Sequence, residues 1–262
     1  MSSTRLPGKV LMPLAGQPMI WHIVQRAKSC ELVGQVVVAT SLESSDAPLV
    51  AFCQSARIEC YRGSLNNVMS RYIDVLDSVA CDYFVRITGD CPLIDPSFID
   101  RQIRALQAHN GDHVWLSDRV SVLEGQGVHS TRSLRHVNER SEYPDDLEHV
   151  GSRYFADHPE EFRIIGMQPP QALVEAKWRL TVDEPADFEM IQALYEALWQ
   201  GEPIQLTQAL NWLVQNPQIA NLNKVVEHST INQELARKRS SWARHVELFC
   251  DWEDPYKVIA LN

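Results

Sequence analysis

Arg5 and Lys9 flank a Pro7-Gly8 pair within Ser2-Ser3-Thr4-Arg5-Leu6-Pro7-Gly8-Lys9, a pattern that suits a polyanion. Pro7-Gly8 favours a tight turn, and Gly8 lets the backbone approach a ligand closely. Successive backbone N–H groups in such a turn form an anion nest. Arg5 adds a planar fork and Lys9 a compact point charge. The competing reading is a frayed amino terminus carrying two solvated cations. The spacing of a Walker-type phosphate loop is absent.

Two carboxylates could complement these cations. Thr88-Gly89-Asp90-Cys91-Pro92-Leu93-Ile94-Asp95 follows a β-branched run, so Gly89 turns the chain and leaves Asp90 at the carboxyl edge of a sheet. A carboxylate there can hold Mg²⁺ against substrate phosphates, although a lone Asp also serves as a turn cap. Asp183 likewise follows an apolar stretch and precedes Pro185. Its competing role is a helix N-cap with a proline just inside. Cys91, beside Asp90, is read as a small core residue rather than a nucleophile, because no His lies near it in sequence to activate it.

Alternating strands and helices must position these groups. Val36–Thr40, Ile58–Tyr61, Tyr83–Thr88, Val114–Leu116 and Trp178–Val182 read as strands. Helices are expected from Pro18 to Ala27, Ala47 to Ala56, Val68 to Val79, from Pro96, from Pro144 to His158, and from Pro185 to Trp199. Arg62-Gly63-Ser64 reads as a turn and residues 121–130 as a loop. This short-interval alternation signals a mostly parallel sheet with helices on both faces, whose ligands bind at the carboxyl strand ends. Gly201-Glu202-Pro203 suggests a boundary, giving an α/β domain over 1–202 and a helical extension over 203–262. In that extension Thr207–Gln215 and Thr230–Phe249 read as helices. The second carries Ile231, Leu235, Trp242, Val246 and Phe249 as an apolar stripe compatible with a homodimer. Arg237, Lys238, Arg239 and Arg244 beside it read as a solvated face rather than a binding one.

Composition narrows the partners. The 262 residues carry a formal charge of −10, which argues against nucleic acid and against a polybasic membrane anchor. An anionic substrate then requires a local cluster of cations. No apolar run is long enough to span a membrane, and positions 1–30 lack the apolar core of a secretory leader. Six cysteines without a paired framework fit reduced thiols, so a cytoplasmic location is expected.

Taken together, "SSTRLPGKVL", "RITGDCPLID" and "LTVDEPADF", with "VVVATS" and "YRGSLNNVMSRY" between them, resemble the cytidylyltransferase-like proteins of surface-polysaccharide biosynthesis, relatives of the acylneuraminate cytidylyltransferases. The resemblance covers roughly residues 2–200. It implies a Rossmann-like α/β/α fold of the nucleotide-diphosphosugar transferase type, and transfer of CMP from CTP to a small acidic, nonulosonate-like sugar with release of pyrophosphate. By matching motifs it places Arg5, Lys9, Ser3 and Gly8 on the triphosphate, and Asp90 and Asp183 on Mg²⁺. It places Ala39, Thr40, Ser41, Arg62, Gly63 and Ser64 near the nucleoside, and Arg71 where the family carries an Arg in a "DRY"-like stretch, here with Ser70 in place of the acid.

The pattern also departs from the family. Family members open with a hydrophobic strand ending in Gln-Ala-Arg, and here Met1 stands at its exit. The expectation is that the natural start lies upstream, since lack of a central strand would leave two neighbouring strands with unpaired edges. Gly125-Gln126-Gly127-Val128-His129 replaces an acidic family stretch, with His129 read as a surface-loop residue and His149 as a helix-packing one. Two alternatives stay open: a glycosyltransferase using a nucleotide-sugar donor, and a degenerate nucleotide-binding module without activity.

Overall fold

The computed structural model describes residues 3, 5–224 and 240–250. After a 3₁₀ turn at Lys9–Leu11, two residue pairs form a small antiparallel ribbon, β1 (Pro13–Leu14) and β2 (Gln17–Pro18). Then follow α1 (Met19–Lys28), β3 (Val37–Ser41), α2 (Ala47–Ser55), β4 (Glu59–Gly63), α3 (Val68–Ser78), β5 (Tyr83–Ile87) and α4 (Pro96–His109). The middle contributes β6 (His113–Leu116), β7 (Gln126–Ser130), α5 (Thr131–Arg140), α6 (Pro144–His149), α7 (Ser152–Asp157) and β8 (Ile164–Met167). The chain continues through α8 (Gln171–Glu175), α9 (Pro185–Leu198), α10 (Leu206–Gln215), α11 (Pro217–Ala220) and β9 (Val246–Cys250).

β3 and β4 pair in parallel, and a second sheet runs in the order β5-β7-β6-β8-β9. Within it β6, β8 and β9 are parallel, while β7 lies antiparallel between β5 and β6. Alternating side chains feed two helical layers. Val114, Val128, Ile165 and Met167 pack under Ile99, Ile103 and Leu106 of α4. Phe84 and Ile164 face Leu134 and Val137 of α5 and Phe155 of α7. A further apolar cluster joins α1, β3, α9 and α10 through residues such as Ile23, Val38, Ile191 and Leu210. The chain is therefore an α/β protein with helices on both faces of its larger sheet. Among the described residues, β3 and β5 each have a strand partner on one side only.

Several expectations are corrected. Arg62 and Gly63 belong to β4, and only Ser64 begins the turn. Residues 126–130 are not loop but β7, whose buried positions Gln126, Val128 and Ser130 alternate strictly. Two of these three are polar, so the period is present but the apolar signal is not. His129 is accordingly no surface-loop residue: its Nδ1 lies 3.0 Å from Nδ1 of His113, and its ring stacks on Phe84. The expected helix from Pro144 to His158 is two helices, broken where Val150 and Gly151 take positive φ (53° and 74°). A Cβ at Gly151 would meet Val137 Cγ1 at 2.6 Å.

Pro18 ends β2 and N-caps α1 rather than opening it. Trp178–Val182, expected as a strand, has no regular secondary structure and pairs with no strand among the described residues, although Leu180 and Val182 are buried. The described part of the expected last helix is a 3₁₀ turn at Ser240–Arg244 followed by β9, parallel to β8. Trp242 is buried there, with Nε1 donating to Ala156 O at 3.4 Å. Ile231, Leu235, Arg237, Lys238 and Arg239 lie outside the described residues.

Two positions test this frame. Asp112, before β6, accepts from Ser130 Oγ at 2.5 Å, Arg132 Nε at 2.7 Å and Arg163 N at 3.0 Å. Asp112→Ala leaves these donors without their acceptor and is expected to cost about 2–3 kcal/mol in chemical denaturation. Gly125 sits at φ 78°, and a Cβ there would meet Cys91 Sγ at 2.1 Å and Thr88 Oγ1 at 2.6 Å. Gly125→Ala is expected to cost at least ~2 kcal/mol in the same measurement.

Candidate functional site

The amino-terminal loop is folded back on itself. Ser3 Oγ accepts from Leu6 N at 3.2 Å, and Gly8 at φ 73° starts the 3₁₀ turn that carries Lys9. A Cβ at Gly89 would lie 3.3 Å from Val10 Cγ1, so this turn rests against the one that follows β5. The latter is pinned from several sides. Thr88 N donates to Gly125 O at 3.0 Å, Tyr195 Oη to Pro92 O at 2.6 Å, and Arg26 Nε to Ile94 O at 2.6 Å. Val182 N donates to Asp90 O at 2.8 Å, which fixes Asp90 beside the stretch that leads to Asp183.

Arg5, Lys9, Asp90 and Asp183 lie together in the structure. Lys9 Nζ lies 3.0 Å from Asp90 Oδ2, 2.9 Å from Asp183 Oδ1 and 2.7 Å from Val182 O, with only 11% of its side chain exposed. Arg5 Nη2 reaches the same Asp183 oxygen at 3.0 Å, and its Nη1 stands 3.6 Å from Glu184 Oε1. Burial opposes ionisation of Asp90, but the charge on Lys9 and hydrogen bonds from Thr88, Lys9 and Cys91 outweigh it and hold the carboxyl below its ordinary range. Cys91 is a fully buried thiol pushed well up by burial and by Asp90, which makes it the core residue expected and no nucleophile.

Asp183 is not the cap of α9. Glu184 is, and Asp187 closes the capping box. Fully buried Asp187 accepts from Asp183 N and Glu184 N at 2.9 Å each, and from Asn223 Nδ2 at 2.9 Å. The carboxylate of Asp183 is thereby left to the cations. Arg179 donates to Asp183 Oδ2 and places its Nε 3.3 Å from Asp187 Oδ1.

Sequence reasoning missed Arg179 and Asp187. Each had a signal: an Arg inside an apolar extended run, and an acid at the third helical position after Asp183-Glu184-Pro185.

The residues expected near a nucleoside gather in a separate corner at the carboxyl ends of β3 and β4. Thr40 and Ser41 are buried, and their hydroxyls donate to Asp46 Oδ2 at 2.6 Å each rather than pointing outward. Asp46 is a third residue that sequence reasoning missed; its position five residues past a strand end was the available cue. Arg62 ties the corner by donating to the carbonyls of Ser41 at 3.0 Å, Leu42 at 2.8 Å and Glu43 at 3.2 Å. Arg71 Nη1 reaches Ala39 O at 3.4 Å, and its stem lies over Gly63, where a Cβ would fall 2.6 Å from Arg71 Cγ. Ser64 Oγ accepts from Asn67 N at 3.1 Å, ahead of the Asn67 cap of α3. The corner therefore offers a ligand a rigid backbone more than free side chains.

Asp90 Oδ2, Asp183 Oδ1 and Val182 O converge on one point, and all three are hard oxygens. Two carboxylates and a carbonyl so placed fit a small divalent cation such as Mg²⁺.

The cytidylyltransferase family model matches residues 1–240. The chain is 28% identical over 224 residues to the spore coat polysaccharide biosynthesis protein SpsF of Bacillus subtilis, covering 84% of this chain and 93% of that one. It is 36% identical over 107 residues to 3-deoxy-manno-octulosonate cytidylyltransferase of Geobacter metallireducens, 41% of each chain. A solved cytidylyltransferase from Leptospira borgpetersenii serovar Hardjo-bovis superposes with a TM-score of 0.77 at 25% identity, covering 87% of this chain and 95% of that one. With this match over most of its length, and with the acids and bases of its motifs drawn into one cluster, the chain belongs to the cytidylyltransferase family of nucleotidyltransferase enzymes.

Proposed function

We propose that this enzyme transfers CMP from CTP to a small acidic sugar, releasing pyrophosphate, as a step in building a surface polysaccharide. The observation that carries the proposal is the meeting of Lys9, Arg5, Asp90 and Asp183 at the rim of the sheet. Two similarities support the finer reading: one relative is a spore coat polysaccharide biosynthesis protein, and another is a 3-deoxy-manno-octulosonate cytidylyltransferase.

A sugar hydroxyl attacks the α-phosphorus in line, the bond to pyrophosphate breaks, and no covalent enzyme intermediate is required. Positioning and charge neutralisation do most of the work in such a transfer. When bound, Mg²⁺ supplies charge neutralisation and polarisation of the α-phosphate. Asp90 and Asp183 would hold it, with Val182 O as a third oxygen. Arg179 orients Asp183 from the buried side. Arg5, with 44% of its side chain exposed, is free to turn from Asp183 and Glu184 to a phosphate oxygen. The backbone of Ala39–Ser41, braced by Arg62 and Arg71, would border the nucleoside.

On this reading the protein works in the cytoplasm. Among the described residues no helix is long and apolar enough to cross a membrane. The homodimer suggested by a continuous last helix loses that support, since its described part is a turn and a strand.

The test is turnover with CTP, Mg²⁺ and a panel of acidic sugars. Pyrophosphate and a CMP-sugar are expected in equal amounts. Release of a nucleoside diphosphate instead would establish a glycosyltransferase. No turnover, together with no shift in melting temperature on adding CTP and Mg²⁺, would leave a non-catalytic module. Asp90→Asn and Asp183→Asn are each expected to lower kcat by on the order of a hundredfold or more. Their melting temperatures should fall by no more than a few degrees.

A further inference from the structure

Lys9 carries two assignments that its geometry keeps apart. As a phosphate-binding residue it must offer an N–H donor to an anion. An ammonium has three such donors, and Nζ has three oxygen partners: Asp90 Oδ2 at 3.0 Å, Asp183 Oδ1 at 2.9 Å and Val182 O at 2.7 Å. Held this way, it has none left for a triphosphate.

These are the same three oxygens that suit a divalent cation. Mg²⁺ binds its oxygens at about 2.1 Å, so the ion and the ammonium would claim the centre of one cradle. Two cations so close repel strongly in a partly buried site.

The cradle does not need Lys9 for its shape. Val182 N is anchored on Asp90 O. Asp183 is fixed by Arg179 through its carboxylate and by Asp187 through its N–H. Lys9 itself stands at the first position of a three-residue 3₁₀ turn, directly after Gly8 in the left-handed region. A flexible four-carbon stem can swing from there without unmaking the cradle.

We propose that Lys9 is the resident cation of the metal cradle and trades places with the divalent ion. Metal entry expels Nζ, and the freed ammonium becomes a partner of the triphosphate. Without metal the lysine is sequestered and the two carboxylates are neutralised; with metal both the ion and the lysine face the nucleotide. This exchange rests on the nucleotidyl-transfer reading above, and it makes metal and nucleotide binding mutually reinforcing.

Mn²⁺ is the probe, titrated without nucleotide and followed by electron paramagnetic resonance. Removing the competing ammonium with Lys9→Met is expected to tighten Mn²⁺ binding by about tenfold, while Asp90→Asn abolishes it. Binding that is lost in Asp90→Asn yet no tighter in Lys9→Met overturns the exchange and leaves metal-dependent transfer standing. No Mn²⁺ binding in any of the three proteins, with or without CTP, removes both readings.

Lys9→Met strands two carboxylates and can fail to fold, so the wild-type chain supplies a second readout. Acetylation of Lys9 by limiting acetic anhydride, mapped by mass spectrometry, is expected to rise severalfold when Mn²⁺ is added. Unchanged or diminished labelling overturns the exchange.

Discussion

An alternating row of charges organises this molecule: Asp90, Lys9, Asp183, Arg179 and Asp187, each within ion-pair reach of the next. Burying any one alone would be costly, because an unpaired charge in a low-dielectric interior loses its hydration without return. Together they are tolerable, and their mutual dependence links segments far apart in sequence. Lys9 comes from the amino-terminal turn, Asp90 from the turn after β5, Arg179 and Asp183 from the stretch before α9, and Asp187 from the first turn of α9. Asn223 extends the chain by donating to Asp187 Oδ1 and to Arg179 O at 2.9 Å each. The stretch Trp178–Val182 belongs to no sheet, so this network, the Val182–Asp90 hydrogen bond and apolar burial of Leu180 and Val182 must hold it.

The legible parts of the chain were those where local chemistry and tertiary environment agree. Pro96 after Asp95 and Pro185 after Glu184 announce two helices, and both begin there. Val37–Thr40 and Tyr83–Ile87 are strands because their β-branched and aromatic residues suit a half-buried pleat. Asp90 and Asp183 were legible as a pair through motif resemblance, and Lys9 through its spacing from Gly8.

What stayed hidden was set by distant partners. β7 buries Gln126 and Ser130, polar residues made tolerable only because Gln126 Oε1 accepts from Asp95 N at 2.7 Å and Ser130 donates to Asp112. No local pattern reveals those partners. Asp187 was legible only as a first-turn acid of α9; its pairing with Arg179 and Asn223 is set by distant partners.

The divided sheet bears directly on the site. β3 and β5 expose edges whose N–H and C=O groups lack a strand partner among the described residues. Among the described residues no strand pairing joins the two sheets, and side chains link the segments around them, Val38 and Ile87 sharing one apolar cluster. Arg26 does part of this, reaching from α1 to Ile94 O beyond β5 and to Ile204 O before α10. Tyr195 adds the link from α9 to Pro92 O, and burial pushes its hydroxyl up to about 12, so it remains a neutral donor at ordinary pH. Asp90 is consequently held by anchors outside the sheet, which couples its position to the packing of α1 and α9.

A chain with a net charge of −10 must still attract a nucleotide. Over distances beyond roughly 10 Å, salt screens that charge, and the local count is what a ligand meets. Asp90, Asp183, Glu184 and buried Asp187 face Arg5, Lys9 and Arg179, so four acids meet three bases and the cluster carries one net negative charge. On the proposed reading, a dication held by Asp90 and Asp183 would tip that balance positive beside the phosphates. The acidity of the whole protein then sets no bar to an anionic substrate, because the local charge would be set by the bound cation.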